Sequence, residues 1–276
     1  MRKTAALAGA VLAVLLLMSG CTGNLFMQWD KPEVPSSSEL NDKASTDPEG
    51  FISDVEDYLD GGAIDDSNAG DVNTALKTIY DPSGSTDKVY NPADPVPGTE
   101  TEQKAALLIG EVAIAGDDNA GNVVANVPAV LSTISDPSAS AKTPEEFIKD
   151  LIPSGLSDSE FTSMVEALVE AGEAYLKFGD SLTSPVVAEE QVPFMSSADI
   201  GDTLNRAAAG IALIAALDAS DGDITDGYTT DTTALYTVYT GGSFTNNQDP
   251  TKAFDGTITY YDGAQNLLEL AGFDVS

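Results

Sequence analysis

Apolar residues recur at helical spacing along most of the chain. Phe51, Ile52, Val55, Tyr58 and Leu59 share one face of a helix that opens at Asp47-Pro48-Glu49 and stops at Gly61-Gly62. An acid that caps the first amides, a proline in the first turn and glycines after the last turn are the start and stop signals of a helix. Residues 69–80 carry Val72, Leu76 and Ile79 on one face and stop at Asp81-Pro82. Beyond a loop with Pro82, Pro92, Pro95 and Pro97 the pattern returns. It predicts a helix over 102–115, a turn over 116–121 and a helix over 122–135, kinked at Pro128 and ended by Asp136-Pro137. Thr143-Pro144-Glu145-Glu146 starts a short helix that ends before Pro153. Ser157-Asp158-Ser159-Glu160 is a capping box that opens a longer one, with Phe161, Met164, Val165, Leu168, Val169, Tyr175 and Leu176. Helices over 199–217, with Ser197 as cap, over 233–239 and over 262–271, with Leu267, Leu268 and Leu270, complete the chain.

Some of these elements match each other. The ten residues from Leu76 and the ten from Leu131 agree at seven positions, at an offset of 55; the seven residues from Thr233 and the seven from Thr74 agree at five. Both matches coincide with helix ends. A hairpin of this kind leaves an apolar face that only a neighbour covers. The expected fold is therefore all-α, with helix-hairpin repeats of about 50–55 residues stacked as a short α-solenoid or an irregular helical bundle.

The N-terminus has a different pattern. Arg2 and Lys3 precede an apolar run over 5–18, broken only by Gly9, and the small residues Ser19 and Gly20 follow. That is the layout of a secretory signal peptide, and the run is too short for a spanning helix. Cys21, the single cysteine, comes next. Met18-Ser19-Gly20-Cys21 resembles the lipobox of bacterial lipoprotein precursors, which reads Leu-(Ala/Ser)-(Gly/Ala)-Cys, with Met18 in place of Leu. The resemblance implies cleavage before Cys21, a diacylglyceryl thioether on its sulfur and a palmitate-type acyl chain on its amine. Two or more chains give stable anchoring. In the enterobacterial sorting rule Thr22, which is not Asp, points to the outer membrane. The expected organisation is a signal peptide over 1–20, a lipid-anchored linker over 21–47, extended by Pro32, Pro35 and Ser36–Ser38, and one helical domain over 48–276.

Charge narrows the partners. The chain has 12 Lys and Arg against 45 Asp and Glu, a net charge of -33, and no histidine. Such a chain repels phosphate backbones, so nucleic acid is not an expected partner. Solvation in salt accounts for the acidity, and so does a cation site. One cysteine allows no internal disulfide. The lack of histidine removes the Ser-His-Asp and Cys-His pairs and histidine-based metal centres.

The acidic turns are the remaining chemistry. Asp60, Asp65 and Asp66, then Asp117 and Asp118, then Asp218, Asp221, Asp223 and Asp226 follow the first helix of successive pairs. Stacking in register would bring these turns to one end. There the carboxylates of Asp218, Asp221, Asp223, Asp226, Asp117 and Asp118 would offer oxygen ligands to calcium. The segment from Asp221 is not an EF-hand: Asp226 stands where that loop needs glycine, and Thr232 where it needs a bidentate Glu. Solvated Asp/Gly loops explain the same residues. No other cofactor is implied. Glu166, Glu170 and Glu173 lie on one helix at acid/base spacing, which a solvent face also produces. Tyr228, Tyr236, Tyr239, Tyr260 and Tyr261 suit either a pocket or packing.

The leading expectation is a non-enzymatic, lipid-anchored protein of the cell envelope, periplasmic or at the outer membrane, acting as a helical-repeat scaffold for an envelope protein. The alternative is an accessory to solute transport that holds a cation or small solute. The body is loosely similar to tetratricopeptide-type envelope lipoproteins, although its period is near 55 rather than about 34. A hydrolase using paired carboxylates is the third reading.

Overall fold

The computed structural model describes residues 31–82, 95–134, 143–184, 186–221, 232–244 and 262–272. Among these the chain is all-α, with eleven helices and no strand. In chain order they are α1 (Ser37–Thr46), α2 (Pro48–Asp60), α3 (Ala69–Leu76), α4 (Glu100–Ala115), α5 (Asp118–Ile134), α6 (Pro144–Leu151), α7 (Asp158–Asp180), α8 (Ala188–Gln191), α9 (Ser197–Asp221), α10 (Thr232–Tyr239) and α11 (Asp262–Leu270).

The caps are where the local signals place them. Asp47 accepts from the Gly50 amide, with Pro48 in the first turn of α2. Thr143 and Glu146 exchange backbone N–H bonds at the start of α6, at 3.2 and 2.9 Å. The Glu160 carboxylate accepts from the Ser157 amide and hydroxyl at the start of α7. Gly62, just past α2, has φ of 62°, a left-handed turn that suits glycine.

Several boundaries differ from expectation. The linker assigned to 21–47 is not extended throughout: Ser37–Thr46 is a helix, α1. The Glu39 carboxylate accepts from the Ser36 amide and hydroxyl, and Leu40 and Ala44 are buried one turn apart. The prolines and serines that suggested a linker sit before this helix and at its cap. The turn expected over 116–121 shrinks to Gly116 and Asp117, since α5 begins at Asp118. The cap of α9 is Ser196, which exchanges bonds with Asp199, and not Ser197. Glu189 and Glu190 lie in the one-turn helix α8, an element that the sequence pattern did not predict.

The core is organised around α7, which packs on α4, α9, α11, α5 and α10. Glycines allow the closest approaches. Gly172 of α7 faces Gly210 of α9, and Gly179 of α7 faces Gly263 of α11, with no room for a side chain between either pair. Gly110 of α4 seats the ring of Tyr175; a Cβ there would lie 2.6 Å from Cζ. Gln103 donates to the Ser181 hydroxyl at 3.1 Å. Gln103–Ser181 and Gly110–Tyr175 make α4 antiparallel to α7, and Arg206 beside Tyr175 with Gly210 beside Gly172 does the same for α9.

The segment Ser197–Leu217 of α9 is long and apolar enough to cross a membrane, but two-thirds of it is buried among the other helices. It reads as a core helix. The signal peptide expected over 1–20 and Cys21 lie outside the described residues.

Candidate functional site

The acidic turns come first, because the sequence singled them out. Gly116 touches Ala69, so the turn before α3 and the turn before α5 are neighbours. One carboxylate in each is already engaged. Asp65 accepts from both the amide and the hydroxyl of Ser67, at 3.0 and 2.6 Å, which holds it below the usual carboxylate range. Asp117 Oδ1 accepts from the amides of Asn119 and Ala120, each at 2.9 Å, and so caps α5. Asp118 is the first residue of that helix. Asp218 and Asp221 belong to the last turn of α9, whereas Asp223 and Asp226 lie outside the described residues. Among the described residues no group of three or more carboxylates gathers as a metal ligand set. At Asp117 capping accounts for Oδ1.

The glutamates on α7 separate. Glu166 is exposed, Glu170 pairs with Lys77 at 2.7 Å, and Glu173 is buried. Lys177, fully buried, has Asp180 at 3.9 Å. The three glutamates do not share an open acid/base cleft.

The tyrosines pack. Phe161 meets Tyr236 edge-on at 5.1 Å and Tyr239 at 5.0 Å between centroids. The Tyr239 hydroxyl donates to the Pro153 carbonyl at 2.8 Å and accepts from the Leu156 amide at 3.0 Å. These two residues fasten α10 to the loop before α7. Tyr228, Tyr260 and Tyr261 lie outside the described residues.

The most concentrated polar site was not foreseen. Arg206 of α9 reaches Glu111 of α4 at 2.5 Å, and the buried Tyr175 hydroxyl of α7 lies beside them. That hydroxyl makes no hydrogen bond of good geometry, although both charges act on it. Burial pushes the Glu111 carboxyl up; Arg206 opposes this, and Asp199, Asp202 and Glu56 add to it. Burial also pushes the Tyr175 phenol up, far above its ordinary value. Burial pulls the Arg206 guanidinium down, but Tyr175, Glu111 and Asp202 outweigh it and the net direction is up. Glu111 and Arg206 are 95 positions apart, and nothing local to either announces the pair.

A shallow cleft of about 250 Å³ lies where α2 and α4 begin, lined by Glu49, Ile52, Glu100, Thr101 and Lys104. Lys104 pairs with Glu100 at 2.7 Å and stands 5.0 Å over the Phe194 ring. Comparison with protein families, curated proteins and solved structures returned no match.

Proposed function

We propose that the chain is a non-enzymatic, lipid-anchored protein of the bacterial cell envelope, whose helical body is an interaction module for another envelope protein. The observation that carries this reading is the N-terminal pattern: Arg2 and Lys3, the apolar run, then Ser19-Gly20-Cys21. Lipidation of Cys21 would hold the chain on a membrane, and Thr22 favours the outer one. The burial of α9 within the body agrees with an anchor placed elsewhere in the chain.

The body acts as an irregular bundle around α7 rather than a solenoid, in which each unit would touch only its sequence neighbours. Tyr80 and Tyr239, aligned by the sequence match, both donate to a proline carbonyl, but Pro95 follows Tyr80 by 15 residues and Pro153 precedes Tyr239 by 86, so the two bonds are not one repeated feature. The cleft where α2 and α4 begin, about 250 Å³, is below the range of about 300–1,000 Å³ usual for ligand pockets, so it is not the place where a solute would be held.

The test is the mature N-terminus. Mass spectrometry should find Cys21 as the first residue, carrying a diacylglyceryl group, and Cys21→Ser should release the chain from the membrane fraction. An unmodified N-terminus elsewhere, with no change in fractionation, would end this reading. Crosslinking in intact envelopes should then give a discrete adduct with one other protein. Saturable binding of a small solute without an adduct would turn the assignment to the transport accessory.

A further inference from the structure

Pro32 packs on Gly61, at the end of α2, so the described chain enters the body there. Helix α1 runs away from that point and α2 returns to it, side by side through the Lys43–Asp54 pair. Helices α2 and α4 run in the same direction: both begin at the cleft of Glu49, Ile52, Glu100, Thr101 and Lys104, and Glu56 acts on Glu111 further along. The end of α4 therefore lies at the entry end, where Gly116 touches Ala69. The far end holds the start of α4, the end of α7, and α8, whose Gln191 side chain bonds both backbone groups of Thr183. Helix α4 has 16 residues, so about 24 Å separates the two ends.

Resting on the lipid anchor at Cys21, we propose that the body stands on the lipid surface with residues 60–69 and 116–118 toward the headgroups and residues 181–184 and 186–191 turned outward. Eleven residue steps separate Cys21 from Pro32, at most about 40 Å of chain. That reaches the near end with slack. An inverted body would use about 20 Å of that reach to run the length of α2 before the chain met its root, whereas the upright body uses none of it. Charge does not set the orientation. Asp60, Asp65, Asp66 and Asp118 are exposed at the near end, where α9 also ends with Asp218 and Asp221, and anionic headgroups repel them, but only within about 8 Å at physiological salt. The far end carries Glu189 and Glu190, with Glu100 paired to Lys104, so turning over would ease this repulsion; the root of the tether at Gly61 is what keeps the near end down. The result is a short stand-off that salt should close.

The experiment uses the full lipidated chain in vesicles of phosphatidylethanolamine and phosphatidylglycerol. The exposed positions Asp66 and Glu190 are changed singly to Asp66→Cys and Glu190→Cys. With the Cys21 sulfur held in its thioether, each variant offers one thiol to a bulky polymer maleimide. Asp66→Cys should label several-fold more slowly on vesicles than after release by detergent, and more slowly still at high salt. Glu190→Cys should label equally in both states. Equal slowing at both positions, or slowing at Glu190→Cys alone, overturns the orientation. Labelling of Cys21 itself in the unaltered chain, with no sedimentation on vesicles, shows instead that the anchor reading has failed, and the orientation falls with it.

Discussion

Gly172 and Gly210 meet backbone to backbone where α7 crosses α9. A Cβ on Gly172 would lie 2.7 Å from the Gly210 carbonyl carbon, and one on Gly210 would lie 2.5 Å from the Gly172 Cα. Backbone cannot move aside as a side-chain tip can, so the helices themselves must separate. Gly172→Ala should therefore destabilise the body by about 1–3 kcal/mol, the usual cost of overpacking. Gly201, also on α9, has nothing within 4 Å. Gly201→Ala should stabilise by up to about 1 kcal/mol through helix propensity. Urea midpoints of the two variants should move in opposite directions; a shared direction would mean that the α7–α9 contact is not tight.

Leu40 tests the boundary that the sequence reading misplaced. It is only 2 % exposed, against helices α2 and α3. Leu40→Ala should cost about 2–5 kcal/mol if α1 belongs to the core. A melting temperature unchanged by Leu40→Ala would return residues 37–46 to the tether.

What was legible in the chain follows from the range of the forces involved. Caps act over three or four residues, so Asp47, Thr143 and Ser157 announced their helices. The Ser36–Glu39 box carried the same signal, but Pro32, Pro35 and the serine run masked it. Asp117 looked like part of a turn because Gly116 and Gly121 flank the first residues of α5. The glycines of α4, α7, α9 and α11 gain their role only when helices pair, and no local pattern states which helices will. The Glu111–Arg206 pair is hidden for the same reason.

Glu111 sets a pH dependence. Its folded-state pKa lies above the ordinary value, because of burial first and then Asp199, Asp202 and Glu56, against the pull of Arg206. The folded chain thus holds this proton more tightly than the unfolded chain. The stability it contributes is full below the unfolded pKa and is lost as pH rises through the folded one. Glu39 and Glu160, held low by the Ser36 and Ser157 hydroxyls, act in the opposite sense at lower pH. Between about pH 7 and the ordinary carboxylate range near about 4.3, the unaltered chain should gain more stability on acidification than Glu111→Gln does. Relief of general acidic repulsion is common to both proteins and cancels in the difference. Parallel curves would remove Glu111 as the source.

Asp117 separates capping from cation binding. Its Oδ1 receives two amides of the first turn of α5. Asp117→Ala should cost about 0.5–2 kcal/mol, with or without calcium. Asp118, at the first helical position, makes only the favourable interaction of an acid with the helix dipole, so Asp118→Ala should cost about 0.3–1 kcal/mol. Thermal melts of the chain from Thr22 onward would read both, with calcium and sodium compared at equal ionic strength. Equal stabilisation by the two salts identifies screening of that chain's net charge, -35 once Arg2 and Lys3 are removed, as the effect of salt. A calcium-specific rise that saturates, and that both substitutions abolish, would instead give this turn a bound cation and reverse the capping account.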